Sequence, residues 1–179
     1  MRQGLVAFVL VFGLGGSSAT TVEPAPGPDG WESLSSAAET FAVEDLQGRT
    51  LRSGDLAGRI VIIDFWATWC SPCIRELPEL VEYHRRLEGR EDVVLLSFNV
   101  TDERADLEAF LAERDVPFRV YLGNDLLGPY EVVAFPTKLV IDMREAARDD
   151  TGVVRFRSEG YTSAASIEAR VEELLAATP

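Results

Sequence analysis

The sequence has few of the side chains that bind soft metal ions. It contains two cysteines, Cys70 and Cys73, one histidine, His84, and two methionines. A zinc site needs about four ligands, and a cysteine pair with one histidine leaves that set incomplete. A copper site is disfavoured because the methionines are Met1 and Met143, and Met1 would leave with an export signal. We therefore expect neither a metal nor a cofactor.

Basic residues are also scarce in this chain. Lysine and arginine together number 17 against 30 acidic residues, and the formal net charge is -13. This charge argues against nucleic acid as a partner and favours solubility, while a cationic protein partner stays open. Lysine itself is almost absent, with Lys138 alone, and we attach no mechanistic role to it at this point. We expect a monomer.

The N-terminal apolar run is too short to cross a bilayer as a helix. Leu5–Leu14 has ten residues, well short of the roughly 20 that a spanning helix needs. It follows Arg2 and precedes Ser17 and Ala19, which is the layout of a signal peptide. We predict a signal peptide over residues 1–19 with cleavage after Ala19, the alternative being an uncleaved membrane anchor. No cysteine directly follows the run, so a lipid-modified cysteine is excluded. The protein is expected to be exported, to a periplasmic or other extracytoplasmic space.

Residues 20–38 differ from both neighbouring regions in composition. They are rich in proline, glycine, serine and glutamate and show no hydrophobic periodicity. Such a composition predicts a flexible linker. The remaining length suits a single hydrophobic core, so we place one folded domain over residues 39–179.

The hydrophobic pattern of this domain alternates between strand and helix. Apolar runs at Arg59–Trp66 and Val93–Phe98 indicate buried strands, and Ser71–Leu87 has helical spacing with a bend expected at Pro78. The other predicted elements are a hairpin over 41–52, a helix over 103–114, a strand over 118–122, paired strands over 137–142 and 153–157, and a helix over 163–177. This order predicts an α/β sandwich.

The two cysteines stand where a buried strand passes into a helix. A helix N-terminus presents unpaired N–H groups and a positive partial charge, which stabilise a thiolate and lower the pKa of a thiol. Cys70 is therefore the candidate nucleophile. Cys73 lies one turn later on the same side, where it can release a partner from a mixed disulfide at Cys70. A purely structural disulfide is the alternative, although so short a loop constrains the unfolded chain little.

Several motifs together carry a resemblance to a known family. The segment Asp64–Cys73, which reads Asp-Phe-Trp-Ala-Thr-Trp-Cys-Ser-Pro-Cys, is followed by Pro78 and much later by Phe135-Pro136-Thr137. In these motifs the chain resembles the thioredoxin superfamily, and more narrowly its exported TlpA/ResA-like branch, over residues 39–177. The resemblance implies a thioredoxin fold with a central mixed sheet and helices on both faces. It also implies an N-terminal β-hairpin and an inserted strand-helix unit within residues 100–127.

The resemblance implies a substrate-binding surface beside the cysteines. Pro136 is expected to be a cis-proline packed against the disulfide. The backbone of Phe135 is expected to bind an extended substrate segment, and Phe135 is bulkier than the residue usual at that position. Trp69 is expected to belong to this substrate-binding surface and to shield the disulfide rather than take part in the chemistry.

The resemblance also indicates two acids that move protons. Asp64 lies six residues before Cys70 on a buried strand, where thioredoxin-like proteins often carry a carboxylate. Glu76 follows Cys73 by three residues, as the glutamate of the ResA-like group does. A carboxyl in an apolar setting has a raised pKa and exchanges protons near neutral pH. Both residues are therefore candidates for accepting the proton of Cys73, with a solvated helix residue as the alternative for Glu76.

The function implied is thiol:disulfide exchange, most directly the reduction of disulfides in exported client proteins. Most members of the branch take electrons from a membrane thiol-donor protein, and apocytochrome c awaiting haem is a frequent client. A disulfide-forming oxidase or isomerase uses the same architecture, and the Ser-Pro dipeptide between the cysteines does not decide between them. A non-catalytic copper chaperone or peptide-binding module on the same fold is a further alternative.

Overall fold

The computed structural model describes residues 29–144, 146 and 151–177, and these residues form eight strands and three α-helices. The strands are β1 (Trp31–Ala37), β2 (Ala42–Glu44), β3 (Thr50–Arg52), β4 (Ile60–Trp66), β5 (Val93–Asn99), β6 (Val120–Leu122), β7 (Thr137–Asp142) and β8 (Val153–Glu159). The helices are α1 (Ser71–Arg86), α2 (Arg104–Ala112) and α3 (Ala164–Ala176), with short 3-10 helices at Ser53–Leu56 and Asn124–Leu126. The elements expected from the hydrophobic pattern are all present.

Strand β4 lies inside a six-stranded mixed sheet of order β1-β8-β7-β4-β5-β6. It runs parallel to β5 and antiparallel to β7, and all seven of its residues are buried. Successive side chains of a strand point to opposite faces of the sheet. Ile60 and Ile62 accordingly join the core under α1 and α3, whereas Val61 and Ile63 join a second core beneath the hairpin. The apolar run therefore fits a strand covered on both faces.

The hairpin and the inserted unit complete the expected fold. β2 and β3 form a separate two-stranded sheet, and Gly48 in their connecting turn has φ +73°, which favours glycine. α2 and β6 lie between the cysteine helix and Pro136, and β6 extends the sheet beyond β5. The mixed sheet, the N-terminal hairpin and the inserted strand-helix unit confirm the fold class predicted from the sequence.

Helix α1 presents the cysteines at its N-terminus and an apolar face to the core. Its cap is Cys70, and Pro72 stands in the first turn, where a missing N–H costs little. Leu77, Leu80 and Tyr83 are buried along one face, and the last turn is basic, which suits the negative end of the helix dipole. The cysteines therefore stand at the positive end of the helix dipole.

The predicted flexible linker is wrong over part of its length. Residues 31–37 form β1, which pairs antiparallel with β8 at the edge of the sheet. Trp31 is 3% exposed, and its Nε1 donates to Ser166 Oγ of α3 over 2.9 Å. Burial of this indole and the backbone ladder to β8 outweigh the weak local pattern, as tertiary contacts often do for edge strands. The folded domain therefore begins before residue 39.

The N-terminal segments lie outside the described residues. The signal peptide of residues 1–19, its cleavage after Ala19 and the first part of the linker therefore stay predictions. Within residues 29–144, 146 and 151–177, no helix is both long enough and apolar enough to span a membrane.

Candidate active site around the Cys70–Cys73 disulfide

The two cysteines form a disulfide at the N-terminus of α1. Their Sγ atoms are bonded, and the Cα atoms lie 5.3 Å apart. Cys70 is the N-cap, and its Sγ accepts a hydrogen bond from Cys73 N over 3.3 Å. Both residues are only 4% exposed. When the bond is reduced, the helix N–H groups and the helix dipole favour a thiolate at the cap position.

The turn that leads into the cysteines is held by Asp102. One of its carboxylate oxygens accepts hydrogen bonds from Thr68 N over 2.7 Å and from Asn99 Nδ2 over 2.6 Å. The other accepts from Thr68 Oγ1 over 2.7 Å. Asn99 is buried at the end of β5, and Val100 N donates to Trp66 O over 2.9 Å. The turn is thereby attached to the end of the neighbouring strand.

An exposed aromatic surface lies beside the disulfide. Trp69 is 63% exposed, and its Nε1 donates to Thr101 Oγ1 over 3.2 Å. Its ring meets that of Phe135 edge-on, with the centroids 5.9 Å apart. The Phe135–Pro136 peptide bond is cis, as the resemblance implied. The residue next to Cys70 and the residue next to Pro136 are thus in contact.

The loop that carries Phe135 is held in place by β8. Arg157 donates to the backbone carbonyls of Tyr130 over 2.9 Å and Glu131 over 3.0 Å, and it pairs with Glu159 over 2.9 Å. Gly160 N donates to Pro136 O over 2.8 Å. Sequence reasoning missed Arg157, because nothing in a strand sequence tells which loop an arginine reaches.

The two predicted acids are both buried, at 1% exposure each. Asp64 comes from β4, and Glu76 comes from α1, one turn after Cys73. Glu76 Oε1 accepts a hydrogen bond from Thr162 N, and Glu76 Oε2 accepts one from Lys138 Nζ. Glu76 is therefore not the solvated helix residue that was its alternative reading.

Lys138 joins the two acids into one cluster. It lies on β7 directly opposite Asp64 in the register with β4, and its Nζ is 3.1 Å from Asp64 Oδ1. Its side chain is fully buried. Sequence analysis attached no role to this residue. The signal in the sequence was the chain's one lysine, which stands directly before the apolar run Leu139–Ile141 and two residues after Pro136.

Burial changes the acidity of both carboxyls. Burial raises the pKa of Glu76 to about 7, against the opposing effects of Lys138 and the Thr162 N–H, while the Asp64 charge adds to the rise. Burial also raises the pKa of Asp64, and Lys138 opposes that rise. The cluster can therefore take up or release a proton near neutral pH.

Comparison with known proteins identifies the family. The model of the AhpC/TSA family matches residues 34–151, which is more than half of the chain. The chain belongs to the AhpC/TSA family. Among its relatives is the thiol-disulfide oxidoreductase ResA of Bacillus subtilis, 32% identical over 117 residues. That match covers 63% of this chain and 65% of ResA, which is less than two thirds of the relative's length.

Solved structures of other proteins share this fold. The pneumococcal exposed lipoprotein thioredoxin Etrx1 of Streptococcus pneumoniae is 26% identical to this chain and matches it with a TM-score of 0.65. The match covers 75% of this chain and 99% of Etrx1. A thiol:disulfide interchange protein of Chlorobium tepidum has a TM-score of 0.67, over 80% of this chain and 99% of its own. At 22% identity, the second likeness concerns the fold alone.

Proposed function

We propose that this protein is a thiol:disulfide oxidoreductase that reduces disulfides in exported client proteins. The observation that carries the proposal is the Cys70–Cys73 disulfide at the N-terminus of α1, with a buried acid cluster one turn further along. The relatives' names support it, since ResA is described as a thiol-disulfide oxidoreductase.

Reduction of a client begins at Cys70. Its thiolate, whose proton has gone to solvent, attacks one sulfur of the client disulfide. The client S–S bond breaks, and a mixed disulfide forms while the other client sulfur leaves and takes a proton from solvent. Cys73 then gives its proton to a carboxylate of the cluster and attacks Cys70 Sγ. The mixed disulfide breaks, and the second client sulfur leaves and takes the proton back from the cluster.

Asp64 and Glu76 are the proton acceptors in this scheme. A base works best when its pKa lies near the working pH, and the pKa of Glu76 is raised to about 7. Each client disulfide consumes two electrons and two protons from the Cys70–Cys73 dithiol. A membrane thiol-donor protein returns both and restores the dithiol.

The client segment binds along Trp69, Phe135 and Pro136. The exposed ring of Trp69 and the half-buried ring of Phe135 offer apolar contacts next to the cysteines. Val133, on the same loop as Phe135, is 86% exposed and offers a further apolar side chain. An extended segment with apolar residues near its cysteine suits this surface better than a charged one.

The protein works outside the cytoplasm, in the periplasm or an equivalent compartment. The signal-peptide layout of residues 1–19 supports export, and Etrx1 is described as an exposed lipoprotein. Apocytochrome c, before its haem is attached, is the proposed client because it presents paired cysteines in an extended segment.

Cysteine substitution tests the activity. Cys70→Ser should abolish reduction of insulin disulfides, because the attacking sulfur is lost. Cys73→Ser should accumulate mixed disulfides, visible by nonreducing electrophoresis, because nothing releases the client. Circular dichroism checks that both variants fold. A Cys70→Ser variant as active as the unchanged chain would contradict the proposal, and a binding module would keep its partner in both variants.

The reduction potential tests the direction. The Cys70–Cys73 couple is equilibrated in thiol buffers of defined potential and read by thiol alkylation. A value near about -270 mV or lower fits a reductant, whereas a value near about -120 mV fits a disulfide-forming oxidant and would overturn the direction proposed here.

A further inference from the structure

Lys138 is the only lysine of the chain and lies fully buried between two acids. A buried charge is costly unless it is paired, and here the ammonium has two carboxyls within 4 Å. The other 16 of the chain's 17 lysine and arginine residues are all arginines. An ion pair exposed to water could form at the surface of the fold. The burial of this lysine between two acids therefore needs a physical reason.

The charges of the cluster fix how many protons it holds. With both carboxyls ionised, the three groups sum to one negative charge, and with one shared proton they sum to zero. Low polarity favours the neutral arrangement, which contains one ionised and one protonated carboxyl. Without Lys138, the neutral arrangement needs two protons and leaves no carboxylate free to accept another.

We propose that Lys138 is a positioning residue that keeps one carboxyl of the Asp64–Glu76 pair ionised, so that the pair can accept the proton of Cys73. This inference rests on the proposed function. It assigns a role to a residue that contacts neither the reacting sulfur atoms nor the client. The S–H bond of Cys73 breaks, its proton goes to a carboxylate oxygen, and its sulfur bonds to Cys70 Sγ.

The other groups around Glu76 leave this task to Lys138. Cys73 shares the helix, and the segment after β8 contributes the Thr162 N–H. Glu79, one turn of α1 further on, accepts from Ala164 N over 2.9 Å and from Tyr161 Oη over 3.2 Å. Since Glu79 is directed to the N-terminus of α3, Lys138 is the one cation that contacts Glu76 among the described residues.

The two cysteine steps can be separated with 5,5′-dithiobis(2-nitrobenzoic acid). The reduced full-length chain releases one thionitrobenzoate when Cys70 attacks the reagent. It releases a second when Cys73 resolves the mixed disulfide on Cys70. Stopped-flow absorbance over a range of pH gives a rate for each phase, and only the second phase depends on the proton of Cys73.

Lys138→Met should raise the pH midpoint of the second phase by about 1–3 units, which is the usual effect of an opposite charge at this range. The first phase should change much less. Asp64→Asn should lower the midpoint, because Lys138 then faces Glu76 alone. In the Asp64→Asn/Lys138→Met double variant, the two opposing effects on Glu76 are both absent, and the midpoint should return toward that of the unchanged chain.

Arg144→Met is the matched control. Arg144 pairs with Asp142 over 2.7 Å at the other end of the β4–β7 pair, and both are largely buried. Its loss should leave the second-phase midpoint unchanged. An unshifted midpoint in Lys138→Met would overturn this inference while leaving the oxidoreductase proposal intact. That proposal fails separately, if the unchanged chain does not reduce disulfides.

A measurement on the unchanged chain covers the case in which Lys138→Met does not fold. Because the chain has one lysine, ¹³C-labelled lysine in a tag-free protein gives the signal of Lys138 alone. That signal should shift with a midpoint near the Glu76 pKa of about 7, and Glu76→Gln should abolish the step. A lysine signal without such a step would overturn the inference.

Discussion

The two ends of α1 carry charges in opposite settings. At the N-terminal end, Glu76 is buried with Asp64 and Lys138. At the C-terminal end, Arg86 pairs with Glu168, and Arg90 just beyond the helix pairs with Glu172, both partners lying on α3. Both ends use ion pairs, but only one end places them out of reach of water.

The setting decides what each ion pair does. Exposed pairs contribute little to stability, because water and salt screen them and the side chains lose freedom. Buried groups respond with shifted pKa values instead, as the pKa of Glu76 at about 7 illustrates. The C-terminal end therefore serves attachment of α1 to α3. The N-terminal end gives up stability by burying a carboxyl, one turn after Cys73, that titrates near neutral pH.

The largest expected difference between the two ends is in the pH dependence of stability. The pKa of Glu76 is about 7 in the folded chain and 4.5 for an ordinary glutamate. Between these pH values the folded chain binds more protons than the unfolded chain, so stability falls as pH rises through this window. The loss should reach about 3 kcal/mol at neutral pH. Urea unfolding at a series of pH values measures it.

Glu76→Gln should remove most of this loss and unfold at higher urea concentration than the unchanged chain at pH 7.5. The rate of its second phase with 5,5′-dithiobis(2-nitrobenzoic acid) should fall, because one of the two proposed proton acceptors is lost. Glu168→Gln, at the exposed end, is the control and should keep the full pH dependence. If both variants follow the unchanged chain, Glu76 does not carry a buried charge at neutral pH.

Much of the fold could be predicted because its signals are local. The apolar run of β4 and the helical spacing after Cys70 each lie within one stretch of sequence, and both are confirmed. The edge strand β1 was missed because its pairing partner β8 lies more than a hundred residues away. Trp31, a large indole in a polar stretch, was the one sign of order there.

The candidate site also has a part that local sequence predicts and a part that depends on distant strand pairing. Cys70, Cys73 and Glu76 follow one another on a single helix, so their proximity could be predicted from spacing. Lys138 reaches the cluster through the register of β7 on β4, and register is set by pairing across the whole sheet. A lone lysine can be noticed in a sequence, but its two partners cannot be assigned without that pairing.

The smallest expected effect is a loss of stability at the exposed C-terminal end of α1. Its dependence on salt concentration distinguishes it from the effect at the buried N-terminal end. Arg90 donates to Asp92 over 2.8 Å and to Glu172 over 2.8 Å while its side chain stays 32% exposed. Arg90→Met should cost about 1 kcal/mol or less at low salt. This cost should shrink in 1 M salt, where the Debye length falls to about 3 Å. Urea unfolding at both salt concentrations gives the difference.

The pH dependence due to Glu76 should persist in the same high salt, because screening ions do not enter the buried cluster. Thiol:disulfide exchange by Arg90→Met should match the unchanged chain, since Arg90 lies at the opposite end of α1 from the cysteines. If 1 M salt removed the Glu76 slope as well, water and ions would have access to the cluster. The two ends of α1 would then differ in degree only, and a proton shared between Asp64 and Glu76 would lose its physical basis.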